Sequence, residues 1–230
     1  MAKRNFTLLL FSLFLMPLFL LAQTTTLTVK VQGGKSWQNY GDDFRINGYD
    51  QKIDHYGMSA ELFRSVTPHI FIGVAPGYMR RGAACEPGFI VGDLADPFFF
   101  VDATIYLDYI QLPFLLKLTY PIIGRLEAFG QTGAGFSYLA GGFRDITTGF
   151  NTTTTERRTL DFSGADSNLN RFDFGWNSAL GFAYRMGTGK LKASGEYYHS
   201  FIDMNQNNTS RNRNWGIALG YQIPLSSPNQ

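Results

Sequence analysis

Large apolar side chains alternate with small or polar ones over long stretches of this chain. The clearest stretch runs from Trp215 to Leu225. Trp215, Ile217, Leu219, Tyr221, Ile223 and Leu225 share one parity, and Gly216, Ala218, Gly220, Gln222 and Pro224 share the other. A period of two over eleven positions predicts a β-strand with one greasy and one crowded face. The same pattern recurs between Arg171 and Arg185, where Phe172, Phe174, Trp176, Leu180, Phe182 and Tyr184 oppose Asp173, Gly175, Asn177, Ala179, Gly181 and Ala183. Between Tyr109 and Tyr120, Ile110, Leu112, Phe114, Leu116 and Leu118 oppose Gln111, Pro113, Leu115, Lys117 and Thr119. Leu126 to Leu139 repeats it, as do Leu27–Gln32, Tyr56–Phe63, Ile70–Met79 and Leu191–Phe201, which gives eight predicted strands.

The connectors alternate as strictly as the side chains. Those around Ser65–Pro68, Pro121–Gly124 and Gly187–Gly189 are tight. Those over 38–52, 81–103, 141–170 and 205–212 are long. Short turns on one side and long loops on the other describe an up-and-down barrel in an outer membrane, with the short turns periplasmic. The fold expected is therefore all-β: a closed, antiparallel, eight-stranded transmembrane barrel. Composition agrees, since 25 Gly stand beside 21 Phe, 12 Tyr and 3 Trp. With this up-and-down order, Trp37, Tyr56, Tyr78, Tyr138, Phe172, Phe201 and Trp215 fall toward the outer end of the strands. Tyr120, Tyr184 and Tyr221 fall toward the periplasmic end. Amphipathic rings favour the headgroup level, so these ten are the expected aromatic girdles.

The two faces differ in what they can fit. The interior of an eight-stranded barrel holds side chains and little else. The face of large apolar residues must then point outward, where lipid is the solvent it suits. The inward face carries Lys30, Glu61, Lys117, Glu127, Asp173, Arg185, Lys192 and Glu196. Isolated charges in so narrow a space are costly, so they are expected to pair into a polar plug that excludes a solute channel.

The first residues read as an export leader. Lys3 and Arg4 precede an apolar stretch from Phe6 to Leu21, broken by Thr7, Ser12 and Pro17, and Leu21-Ala22-Gln23 offers a small residue for cleavage. A spanning helix takes about 20 apolar residues without a Pro inside, so residues 1–22 are expected to be a cleaved signal peptide and 23–230 the barrel domain. No Cys follows the run to accept a lipid. Losing Lys3 and Arg4 leaves 18 basic against 18 acidic residues, with no basic run, and nucleic acid is not an expected partner. The single Cys85 excludes an intramolecular disulfide.

Chemistry-bearing residues are sparse. His199 and Ser200 lie near the outer rim, but adjacent strand residues point to opposite faces. His55 opens the second strand. A rim Ser/His site would make the barrel a lipid-modifying enzyme; its parts must meet within hydrogen-bond reach, which nothing in the sequence requires. Asp42, Asp43, Asp93, Asp96 and Asp102 match no cation-loop spacing, so no metal or cofactor is expected. Phe98-Phe99-Phe100-Val101 either docks a partner protein or extends the fourth strand into lipid. Asn151-Thr152-Thr153-Thr154-Thr155 reads as a polar loop tip.

The segment Tyr109-Ile110-Gln111-Leu112-Pro113-Phe114-Leu115-Leu116-Lys117, followed by Gly133–Tyr138, Phe172–Gly175 and Gly216–Tyr221, resembles the PorT-like outer-membrane β-barrel proteins of Bacteroidetes-type bacteria. The resemblance implies an outer-membrane location and an eight-stranded barrel. It implies little about activity, because a part in type IX secretion belongs to the name-giving member alone. The function expected is structural or interactive, with outer-membrane lipid around the barrel and a protein partner at the outer loops. The alternatives are the lipid-modifying enzyme and a soluble periplasmic barrel with a ligand inside.

Overall fold

The computed structural model describes residues 24–40, 51–84, 88–90, 99–149, 153–164, 166–206 and 210–225. The leader, Asp42, Asp43, Cys85, Asp93, Asp96, Phe98, Asn151 and Thr152 lie outside the described residues. Among the described residues eleven strands follow one another: β1 (Thr25–Tyr40), β2 (Ile53–Ser65), β3 (Ile70–Val74), β4 (Gly77–Ala84), β5 (Gly88–Ile90), β6 (Phe99–Ile123), β7 (Leu126–Gly149), β8 (Thr153–Thr159), β9 (Phe172–Met186), β10 (Gly189–Ser200) and β11 (Ser210–Pro224). Nine of them form a ring of eight staves, all antiparallel to their neighbours. β3 and β4 are one stave interrupted at Ala75-Pro76, where Pro76 has no N–H to give the ladder but its carbonyl accepts from Ala60 N at 3.0 Å. The ring closes where β1 pairs with β11, from Thr26 opposite Pro224 to Tyr40 opposite Ser210.

The short turns gather at one end. Gly124 (φ 56°) and Gly187 (φ 63°) each open a two-residue hairpin whose second residue keeps a negative φ, the type II′ pattern that suits twisted strands. At the third turn Thr67 Oγ1 accepts from Ile70 N at 3.1 Å. Both described ends of the chain are tied there, with Ser65 N donating to Thr24 O and Leu225 N to Thr25 O.

The period-two faces are those read from the sequence. Val29, Met58, Ile110, Phe114, Leu180 and Ile217 are exposed on the outside, while Thr28, Glu61, Lys117, Asp173 and Lys192 are buried inside. Two apolar clusters flank the polar lumen. Phe63, Ala75 and Leu115, with Phe71, lie toward the short-turn end. Ile105, Leu107, Tyr109, Leu139, Leu160 and Met204, with Phe162 and Leu169, lie toward the long-loop end.

The strands run further than the sequence suggested. β6 has 25 residues and β7 has 24, whereas a tilted crossing takes about 9–11. Much of the expected loops is therefore strand: residues 81–84, 99–103, 141–149 and 153–159. Phe99-Phe100-Val101 extends the fourth stave, paired to β5 and β7. Thr153, Thr154 and Thr155, expected at a loop tip, belong to β8, since β-branched Thr favours the pleat when a neighbouring strand offers its edge. One extra residue, Ala140, separates the partners of Tyr109 and Asp108 and forms a bulge at the base of this extension.

The closing seam is tight. A Cβ on Gly34 would lie 2.2 Å from Trp215 O and 2.4 Å from Gly216 Cα. Gly34→Val is expected to force β1 from β11 and to cost about 1–3 kcal/mol. The check is the temperature at which the folded form loses its gel mobility, which should fall, while the outward-facing Val31→Ala leaves it nearly unchanged.

Candidate functional site

The inward charges form two layers, each assembled from several staves. In the layer nearer the short turns, Glu61 of β2 lies beneath two lysines, Lys192 Nζ at 2.6 Å and Lys30 Nζ at 3.2 Å. Lys30 reaches on to Glu196 at 2.7 Å. Gln131 Nε2 lies 3.5 Å from Glu61. Lys190 pairs with Glu127 at 2.6 Å. Lys117 Nζ contacts Gln222 Oε1 at 3.4 Å and lies over the rings of Phe63 (4.3 Å) and Phe71 (4.7 Å). The π faces offset part of what burial costs this ammonium.

The second layer centres on Arg81 of β4. Its guanidinium lies 3.1 Å from Asp173 and donates to Gln111 Oε1 at 3.1 Å, between the rings of Tyr109 (5.1 Å) and Tyr198 (3.9 Å). Asp173 also accepts from Ser200 Oγ and from Asn212 Nδ2 at 3.3 Å, and Asn212 donates to Tyr109 Oη at 2.9 Å. Between the layers lies a chamber of about 40 Å³. Ser59 Oγ and Asn214 Oδ1, which no protein group meets, belong to residues lining it. A water needs some 10–15 Å³ of such space, so the chamber suits a few waters and no larger solute.

The structure thus gathers Lys30, Glu61, Glu196 and Lys192 into one chain of ion pairs. Glu127 is joined to Lys190, and Asp173 to Arg81. Lys117 stands beside them without a carboxylate at ion-pair distance among the described residues. Arg185 has the inward parity but lies at the strand end, exposed at the short-turn mouth and outside the network. Sequence reasoning missed Arg81 and Lys190. The signal for both was parity: odd positions of the third stave carry on past Met79 to Arg81, and Lys190 precedes Lys192 by two.

The ten residues expected to form girdles are on the outer wall. Tyr56, Phe172, Phe201 and Trp215 are exposed at the long-loop side, and Tyr120, Tyr184 and Tyr221 at the short-turn side. Trp37, Tyr78 and Tyr138 are half-buried. Tyr78 donates to Asp108, which Arg80 also grips through two nitrogens at 2.7 and 2.9 Å. Tyr138 packs on Phe172 at 5.2 Å beneath Arg171, and Trp37 lies under Lys52.

The rim histidines and serine do not form a site. Ser200 points into the lumen, bonded to Asp173, while His199 points outward against Phe201 at 5.6 Å. His55 is buried on the lumen face beside the close-packed Gly34 and Gly216. Among the described residues no cluster of His, Cys, Asp or Glu could hold a metal.

At the long-loop end the chain closes over the barrel. Leu160, Phe162, Leu169 and Met204 pack on the upper strands, Leu169 bridges Asn205, and Asn170 N donates to Met204 O at 2.7 Å. Above this cap β8 lies against β7. Arg157 grips Asp145 through Nε and Nη2 at 2.7 and 2.8 Å and lies over Phe143 at 4.1 Å. These hydrogen bonds hold the Asp145 carboxyl below its ordinary value.

The family model described as outer membrane protein beta-barrel domain matches residues 22–206. No curated protein matches the chain. Among solved structures it is similar to the outer membrane protein OprG from Pseudomonas aeruginosa, at 10% identity and a TM-score of 0.45, covering 90% of this chain and 98% of that one. It is similar to Neisserial surface protein A at 10% identity and a TM-score of 0.43, covering 86% and 96%. A third likeness is to Ail, the attachment invasion locus protein of Yersinia pestis, at 12% identity and a TM-score of 0.41, covering 87% and 99%.

Removing one partner of a buried ion network strands the rest. Glu61→Gln is expected to cost about 3–5 kcal/mol, because Lys192 loses its carboxylate and Lys30 keeps only Glu196. Glu61→Met with Lys192→Met should recover most of that loss, since Lys30 still has Glu196. Urea unfolding in lipid vesicles measures both. In the outer hairpin, a depressed carboxyl means that the Arg157–Asp145 pair stabilises the fold above the unfolded Asp pKa and loses this effect as pH falls through the folded value. A carbon-detected NMR titration should place the Asp145 midpoint below the usual 3.8, and Arg157→Gln should raise it.

Proposed function

We propose that this chain, which belongs to the outer membrane protein β-barrel domain family, is a membrane-anchored binding protein whose partner is a protein met at the outer surface. The bacterial outer membrane is where such a barrel resides. The expectation of a soluble periplasmic barrel gives way to this, and the exposed apolar wall of Val29, Ile110, Leu180 and Ile217 is the physical reason.

The observation that carries the proposal is the outer edge. Below Leu139, β7 is flanked by β6 and β9; above the bulge, β8 takes the place of β9. A β4–β6–β7–β8 sheet, with β5 beyond β4 on the edge of β6, thereby continues from the ring on the long-loop side. Among the described residues β8 pairs with β7 alone, and Thr154 to Thr159 are exposed. Such an edge presents unpaired backbone donors and acceptors, which a partner's extended segment can join as a further strand. Glu156, Arg157 and Arg158 would then select among partners by charge.

A lumen filled by ion pairs and capped by Leu160 and Met204 argues against solute passage. The geometry of Ser200 and His199 argues against the lipid-modifying reading. The ten aromatic side chains are read as girdles that hold the barrel at the depth where the β7–β8 hairpin clears the lipid. Membership of the narrower PorT-like group, suggested by Tyr109–Lys117, is part of the same proposal.

The test replaces residues 147–155 with Asn-Gly, which joins the cross-strand neighbours Ile146 and Glu156 by a two-residue turn. The trimmed protein is expected to reach the outer membrane and to keep its heat-dependent gel shift. A photo-crosslinker placed at Thr159 should give a protein adduct on intact cells in the full hairpin and none in the trimmed one. Equal adducts in both, or none in either, would sink the proposal.

A further inference from the structure

The short-turn mouth opens into a cavity of about 660 Å³ whose lining includes Thr26, Thr67, Phe71, Arg185, Lys190 and Gln222. Beneath it lies a pocket of about 20 Å³ that shares Phe71, Lys190 and Gln222 and adds Lys117. The two form one funnel that narrows toward the buried ammonium.

Its charge is unbalanced. In the layer nearer this mouth Glu61, Glu127 and Glu196 are each matched to a lysine, and Lys117 is left over. Arg185 adds a second cation with no carboxylate at ion-pair distance among the described residues. The ladder also sets Arg185 directly opposite Lys190, whose ammonium is held by both oxygens of Glu127 at 2.7 and 2.6 Å, so of the two facing cations Arg185 is the one left to an outside anion. Thr26 Oγ1 is buried there, on a residue 5% exposed, and no protein group bonds it. A hydroxyl without an acceptor, the guanidinium of Arg185 and the uncompensated charge of Lys117 behind it are what an oxyanion satisfies.

We infer that the periplasmic mouth is an oxyanion-binding site, and that its ligand is a phosphate group seated on Arg185 beside the Lys190–Glu127 pair, with the charge of Lys117 behind it. The group arrives either as free phosphate or as the headgroup of an inner-leaflet lipid; the chemistry of recognition is the same.

The test uses the full mature chain in a maltoside detergent that carries no phosphate. Amide spectra are followed while inorganic phosphate, or in a second arm a short-chain phosphatidic acid, is added at constant ionic strength. Saturable shifts at Thr26, Thr67 and Thr188 are expected. Response to inorganic phosphate supports the site with a free ligand, and response to the lipid alone supports it with a headgroup. Arg185→Gln should weaken binding about tenfold, the worth of one charge-assisted hydrogen bond. Lys117→Met, which removes a buried charge without stranding a carboxylate, should fold and also bind more weakly. No saturable shift in either arm, or unchanged affinity in both variants, would overturn the inference.

Discussion

An eight-stranded ring has an interior just wide enough for side chains, and the rest of this structure depends on that width. The residues that fit inside are mostly glycine, alanine, serine, threonine and a limited number of long polar chains, with a few large ones such as Phe63, Leu115 and Tyr198 filling the space between them. Most of the large apolar residues are left with the outside. Closure at the β1–β11 seam also pairs the last open backbone groups of the ring, which a wall exposed to lipid requires. The glycines at the seam follow from the same limit, because Gly34 and Gly216 approach where a Cβ would strike backbone.

Where the ring ends, the limit lifts, and the protein changes character. Ala140 is the point of change. Below it β7 serves the ring on both edges; above it β7 keeps β6 on one edge and takes β8 in place of β9 on the other. The space above the second charge layer is filled by Leu160, Phe162, Leu169 and Met204, which arrive from two connectors rather than from the staves. The cap makes the upper barrel a small apolar core of ordinary kind, and it gives the projecting hairpin a firm base. A rigid base suits the proposed strand addition, since an edge that is already ordered would lose less entropy if a partner joined it.

The ring was legible because its rule is local. Alternation along Trp215–Leu225 or Tyr109–Tyr120 is a property of neighbouring residues, and the inward parity of Lys30, Glu61, Lys117, Glu127, Lys192 and Glu196 follows from it. The partners were not legible in the same way. That Glu61 meets Lys192 across the barrel, or that Asp173 meets Arg81, depends on shear and register, which sum over several hairpins. Arg81 and Lys190 were lost for a narrower reason: the pattern weakens at strand ends, where Gly82 and Gly189 interrupt it. β8 was hidden because a run of threonines reads as polar low complexity until a neighbour offers an edge, and Leu160 and Met204 looked like loop residues because their burial is set by the barrel they close.

The inward charges have a purpose that stability alone does not explain. A buried ion pair is often no more stable than well-packed apolar residues of similar volume. In this barrel, however, the outside is already apolar. An apolar lumen would make the two faces alike, and a strand slipped by one residue would then cost little. With Lys192 and Glu196 both inside β10, the same slip of that one strand turns both charges into hydrocarbon, at about 2–4 kcal/mol for a lysine near the bilayer midplane. The ion pairs of the lumen therefore act as a register lock, and they draw their force from the lipid outside as much as from the partners within.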